Sequence, residues 1–289
     1  MSRAEGLALY TTTARTSSRR IIDAYSTSFG LASRLLPRDV RQGIADVYAL
    51  VRVADEIVDG PALEAGLDPG TTRSILDELE QETIAAIARG FSANLVVHAF
   101  AVTARQTGIT AELLRPFFAS MRMDLDPIEY DRETFRRYIH GSAEVVGSMC
   151  LRVFASESPG TPIDDHLEEG ARRLGAAFQK VNFLRDLADD VDSLGRQYIP
   201  GTRGGRLTEA DKNAMVDEID DDLTAARSAI RRLPPGSRRA TAAAAALFGR
   251  LNEQLRATPV EQLRRRRVSV PTSVKLRLVS GAALGRVIG

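Results

Sequence analysis

The sequence predicts an all-α protein, and three observations carry that prediction. Apolar residues recur at helical spacing through most of the 289 residues, strand-like alternation is scarce, and glycines and prolines gather between the periodic segments. Pro37 suits the first turn of a helix, and Val40, Ile44, Val47, Tyr48 and Val51 share one helix face after it. That helix is expected to run to Asp59 and stop at Gly60-Pro61, before a Gly- and Pro-rich loop to about Thr71. Helical patterns resume at about 72–89, 93–107, 111–124, 132–153, 162–194, 208–233, 237–256 and 259–266, and again in the tail. Val268 to Pro271 is the best strand-like stretch, and it is short. No repeat and no low-complexity linker divides the chain, so 1–289 reads as one domain.

Composition narrows the function. Lys and Arg number 39 against 38 Asp and Glu, which leaves +1 and no global electrostatic grip on nucleic acid. A single cysteine rules out an internal disulfide framework, and with three histidines any metal is expected to be bound by oxygen. No signal-peptide core opens the N-terminus, and no apolar run approaches the roughly 20 residues of a spanning helix. The expectation is a cytoplasmic chain. The arginine run Arg264–Arg267 and the apolar tail are its candidate peripheral contact with the inner face of the cell membrane, with a solvated helix end as the alternative.

Two acidic helix faces stand out. In Val51–Asp59, Asp55 and Asp59 lie four apart on one face flanked by Val53, Ile57 and Val58, with Arg52 one turn before Asp55. Two carboxylates there repel, and a divalent cation offsets that repulsion; an arginine beside them suggests a polyanionic ligand. By themselves these acids also fit a surface helix end paired with arginines. The second face is more specific. Asn182, Asp186 and Asp190 follow at i, i+4 and i+8, Gln179 lies a turn earlier, and Val181, Phe183, Leu184 and Leu187 fill the intervening faces. Oxygen donors without thiolate or imidazole favour magnesium, or manganese in its place, with substrate phosphate completing the shell. Arg185 adds positive charge beside Asp186, whereas the acids of Glu218–Leu223 read as a solvated face.

At these motifs the sequence resembles the squalene/phytoene, or head-to-head prenyl, synthase family. Tyr25-Ser-Thr-Ser-Phe29 resembles its N-terminal segment, and the run from Tyr48 to Asp59 its first aspartate-rich motif. Met123-Asp124-Leu125 with Tyr138–Gly147 is similar to its central substrate-lining helix, and Gln179–Asp190 to its second aspartate-rich motif. Gly195-Arg196, Tyr198-Ile199-Pro200 and Arg267–Pro271 continue the likeness, which covers about 20–275.

The resemblance implies an isoprenoid-synthase helical fold around a central apolar cavity. It assigns Asp55, Asp59, Asn182, Asp186 and Asp190 to magnesium–diphosphate binding, with the four aspartates as catalytic groups. It maps Ser26, Ser28, Arg52, Gln179, Arg185 and Arg267 to positions near diphosphates, Phe29 to the wall, and Tyr138 and His140 to the substrate-lining helix. Phe117, Phe118, Met121 and Met149 are further wall candidates, with ordinary core packing as their alternative. The chain departs from the family pattern at Glu56 (usually Asp), His140 (often Tyr), Glu144 (often Gly) and Phe248 (often Tyr). A catalytic role and a plain helix position both stay open for His140.

The implied reaction joins two geranylgeranyl diphosphates to phytoene in carotenoid biosynthesis, without NADPH. Farnesyl diphosphate condensation to squalene or dehydrosqualene is the alternative chemistry. A catalytically silent scaffold for other carotenoid-pathway enzymes is the alternative class.

Overall fold

Helix follows helix wherever the chain is described. The structure is a computed structural model that describes residues 3–26, 28–126, 130–160, 162–187, 199–200 and 207–283. The first helices are α1 (Arg3–Tyr25), α2 (Ser28–Ser33), α3 (Arg38–Asp59), α4 (Pro61–Glu64), α5 (Pro69–Arg89), α6 (Leu95–Thr107) and α7 (Ala111–Met123). Then come α8 (Arg132–Ile139), a π-helical turn (His140–Glu144), α9 (Val145–Ala155) and α10 (Asp165–Arg185). The C-terminal part holds α11 (Glu209–Ile230), α12 (Pro235–Ala257), α13 (Val260–Leu263) and α14 (Thr272–Ala283). At five of these helices a side chain satisfies free N–H groups of the first turn. Asp68 caps α5, Asn94 α6, Asp131 α8 and Asp164 α10, and Thr208 with Asp211 forms a capping box on α11.

Several expectations change. The chain before Ser26 forms a helix that the apolar pattern did not signal, and the loop after Gly60 holds the short α4. Val268–Pro271 is not a strand; it leads into α14. The acids of Glu218–Leu223 are not uniformly solvated. Asp222 is 2% exposed because Arg173 and Lys180 reach it from α10, at 2.9 and 3.0 Å.

Two apolar clusters build the interior. One joins Ile44, Val47, Leu50, Phe100, Phe117, Phe118, Met149 and their neighbours from α3, α5, α6, α7 and α9. The other joins Tyr138, Val181, Leu184, Ile219, Leu251 and Leu255 across α8 and α10 to α12. A polar seam docks α1 on α3 and α6. Buried Asp46 accepts hydrogen bonds from Gln42 and Thr103 and lies 3.6 Å from Arg15, while Thr11 meets the buried His98 at 2.9 Å.

Between the clusters, α9 and its π turn cross α10 backbone to backbone. A Cβ on Gly147 would lie 2.3 Å from the carbonyl oxygen of Ala171, and one on Gly175 would lie 2.4 Å from that of Ala143. Rigid backbone stands at both points, so a methyl forces the helices apart. Gly147→Ala is expected to cost about 1–3 kcal/mol of stability, as overpacking does, read as a lower urea midpoint at unchanged slope.

Candidate active site

The crossing leaves a chamber beside it of about 570 Å³. That size suits a large organic ligand. Three helix faces make most of its wall. From the π turn and α9 come Ser142, Ala143, Val146, Gly147, Cys150, Leu151 and Phe154, with Tyr138 ahead of them. From α10 come positions 167, 170, 171, 174, 175, 178, 179 and 182, one stripe at helical spacing. From α3 come Ile44, Tyr48, Val51, Arg52 and Asp55. Phe117 and Met121 of α7 and Ala240, Thr241, Ala244 and Phe248 of α12 add to the lining. Phe178 and Phe248 stack face to face with centroids 3.8 Å apart, and burial pushes the Cys150 thiol up to about 12, so it serves the wall as a neutral group.

Polar groups collect at one end, where α3 and α10 finish. Arg52 pairs with Glu56 one turn on, lies 3.6 Å from Asp55, and sits over the Tyr25 ring with its guanidinium carbon 4.5 Å from the centroid. The longer Glu56 side chain thus folds back along α3 onto Arg52. Tyr48 hydrogen-bonds Ser26, and burial raises its pKa against the opposing charge of Arg52. Across the chamber, Arg185 and Arg267 both hold the Asp186 carboxylate, Arg185 Nε at 2.9 Å and Arg267 Nε at 2.6 Å. Asn182 Oδ1 is buried with no hydrogen-bond partner among the described residues, and so is Nε of Arg52.

The structure therefore gathers Ser26, Arg52, Asp55, Tyr138, Gln179, Asn182, Arg185 and Arg267 on one wall system. Tyr138 donates its hydroxyl to Asp124 at 2.8 Å. Asp59 ends α3 one turn beyond Asp55, and Asp186 joins the mouth through the two arginines. The expected unbroken stripe from Asn182 stops early: α10 ends at Arg185, and Asp186 is its C-cap, with its N–H still on Asn182 O at 2.8 Å. Asp190 and the side chains of Ser28 and Phe29 lie outside the described residues.

His140 is not brought to the wall. It stands two residues from both Tyr138 and Ser142, on the opposite face, where its Nδ1 meets Glu144 at 2.9 Å and Arg172 also holds Glu144. Of the wall candidates, Phe117 and Met121 face the chamber, whereas Phe118 and Met149 are fully packed in the core. Sequence reasoning missed Tyr25 as the ring under Arg52 and Phe178 as half of an aromatic stack. Tyr25 stood inside the N-terminal motif, but nothing local in the sequence joins it to Arg52, which lies on the next long helix.

The oxygen groups at the mouth suit a hard divalent cation: carboxylates of Asp55, Asp59 and Asp186 and the orphaned amide oxygen of Asn182. Among the described residues no three acidic, histidine or cysteine side chains form a ready cage. An ion held here needs oxygens from its ligand or from water to complete its shell.

Comparison with known proteins agrees with this architecture. The squalene/phytoene synthase family model matches residues 22–273. A 15-cis-phytoene synthase of Paracoccus sp. is 28% identical over 91% of this chain and 88% of its own. A phytoene synthase of Mycobacterium tuberculosis is 30% identical over 89% and 86%, and a presqualene diphosphate synthase of Rhodopseudomonas palustris 32% over 61% and 59%. The fold is that of a dehydrosqualene synthase crystal structure, with a TM-score of 0.76 at 20% identity over 95% of this chain and 97% of that one. A squalene synthase of Alicyclobacillus acidocaldarius superposes with a TM-score of 0.72 at 21% identity over 90% and 97%. With the matched region spanning both polar helix ends and the chamber between them, the chain belongs to the squalene/phytoene synthase family of prenyltransferases.

Proposed function

We propose that the chain condenses two geranylgeranyl diphosphates, through a cyclopropylcarbinyl diphosphate, to phytoene. The observation that carries the chain length is the lining stripe of α10. From Leu167 to Asn182 it covers fifteen steps, about 22 Å at the helical rise. With carbon–carbon bonds of about 1.5 Å, an extended prenyl chain advances about 5 Å per isoprene unit, so four units need about 20 Å. A farnesyl tail would leave the last turn of the stripe bare.

The polar end suits the diphosphate. Arg52, Arg185 and Arg267 rest on carboxylates of the mouth; a diphosphate entering there competes for the guanidiniums and releases those carboxylates. Asp55, Asp59, Asp186 and Asn182, with Asp190 from outside the described residues, would hold magnesium or manganese. The bound cation supplies positive charge against the departing diphosphate. The allylic C–O bond breaks, and the resulting cation takes the electrons of the second substrate's double bond. Proton loss closes the cyclopropane; the second diphosphate then leaves, the skeleton rearranges, and a final proton loss gives the triene of phytoene. Val146, Leu151, Phe154, Leu174, Phe178 and Phe248 exclude the water that would quench the cation. No residue here is assigned to bind NADPH. The exposed Arg265 and Arg266 stand beside mouth residue Arg267 and suit an anionic membrane surface that receives the hydrocarbon.

Incubation with geranylgeranyl diphosphate and magnesium, without NADPH, is expected to release diphosphate and a C40 hydrocarbon, and chelation to stop it. A strict NADPH requirement moves the assignment to squalene formation, and a folded protein that turns over no prenyl diphosphate moves it to the scaffold class. Asp55→Ala is expected to lower kcat by about 100-fold or more at unchanged thermal midpoint. Asn182→Leu removes an unsatisfied buried oxygen, so stability should hold or rise while activity falls; a loss of both would mark Asn182 as a structural residue. Neutralising Arg265 and Arg266 is expected to weaken co-sedimentation with anionic vesicles, and unchanged binding removes the membrane contact.

A further inference from the structure

The floor of the chamber lies at the opposite end of α10 from Asn182. Leu167, Leu151, Ala229 and Leu233 form one buried apolar cluster there, with Phe154 and Ala171 packed against it. Leu167, Leu233, Phe154 and Ala171 also line the chamber. From Asn182 back to Ala171 is eleven steps, about 16 Å; from Ala171 to Leu167 is four more, about 6 Å. At about 5 Å per isoprene unit, three units reach Ala171 and the fourth lies beyond it. Ala171 is only partly buried, and its backbone is pinned by the close approach of Gly147. A larger side chain at this position therefore grows into the chamber without moving the crossing.

Resting on the prenyl diphosphate reading above, we propose that Ala171 is the specificity-determining residue for chain length: its methyl keeps open a terminal compartment, one isoprene unit deep, whose end wall is Leu167, Phe154 and Leu233. Selection here is steric. The compartment is apolar, so it distinguishes chains only by whether the last unit has room.

The test compares the wild-type protein, Ala171→Leu and Leu233→Ala, each checked for folding by circular dichroism. Each is assayed with farnesyl and geranylgeranyl diphosphates, and with a chain one unit longer, and the hydrocarbons are weighed by mass spectrometry. Calorimetry with unreactive thiolodiphosphate analogues of the same lengths reads tail binding apart from turnover. Ala171→Leu is expected to lower the geranylgeranyl-to-farnesyl ratio of kcat/KM by about 10-fold or more and to shift analogue binding the same way. Leu233→Ala is expected to raise binding of the longest analogue several-fold. Unchanged ratios and unchanged analogue binding in the folded variants overturn the compartment. Failure of the wild-type protein to turn over any of the three substrates overturns the proposed reaction instead, and the analogue series still decides the compartment.

Discussion

The backbone contact between the π turn with α9 and α10 governs the rest of the architecture. Gly147 and Gly175 let two peptide chains meet with nothing between them, at Ala171 and Ala143. Once that contact is made, the rotation of each helix is fixed, and so is the face each turns to the chamber. On α10 the chamber face is the stripe ending at Gln179 and Asn182; Arg173 and Lys180, turned away from it, hold Asp222 of α11 instead. On the π turn, Ser142 and Ala143 line the chamber while His140 meets Glu144, which Arg172 also holds. Polar chemistry behind the wall thus stabilises a wall that is itself largely apolar.

At the mouth the balance of charge explains how so many ionisable groups share a small region. Guanidiniums and carboxylates alternate: Arg52 with Asp55 and Glu56, then Arg185 and Arg267 with Asp186. In the absence of a ligand each charge has a partner, so the desolvation at the edge of the chamber is partly offset. In the proposed reaction, a ligand carrying both metal and diphosphate would present cation to the carboxylates and anion to the arginines, and would replace one set of pairs with another of the same sign pattern. The exception is Asn182 Oδ1, which has no hydrogen-bond partner among the described residues.

How much of this was legible in the sequence follows from the range of the forces involved. The common face of Asp55 and Asp59 was readable because i, i+4 spacing is a property of one helix, and helix boundaries near Gly60, Gly90 and Gly108 were readable because glycine punctuates locally. Helix α1 was not readable because it docks by polar contacts and carries no clear apolar stripe. Its threonines return their hydroxyls to carbonyls four residues back, as Thr12 and Thr16 do, and Thr11 and Arg15 reach α6. Asp222 looked solvated because its partners, Arg173 and Lys180, lie about forty to fifty residues earlier, on α10. His140 shares a motif with Tyr138 but not a helix face, which only the angular step between neighbours reveals. The break after Arg185 escaped notice for a similar reason: Arg267, far along the chain, helps hold the Asp186 side chain where the helix ends.

The chamber separates two jobs that a smaller site would have to combine. In the proposed reaction, ionisation falls to charged groups at the C-terminal ends of α3 and α10. In the proposed compartment, chain length is set by packing fifteen residues away, among leucines and alanines that carry no charge. A rigid helix links the two ends, so the distance between them is set by residue number and the helical rise, not by loop conformation. On the proposed reading, members of one fold would keep the charged end and change substrate by altering side-chain volume at the other, and the relatives named for phytoene, presqualene diphosphate and dehydrosqualene synthesis are where that separation can be compared.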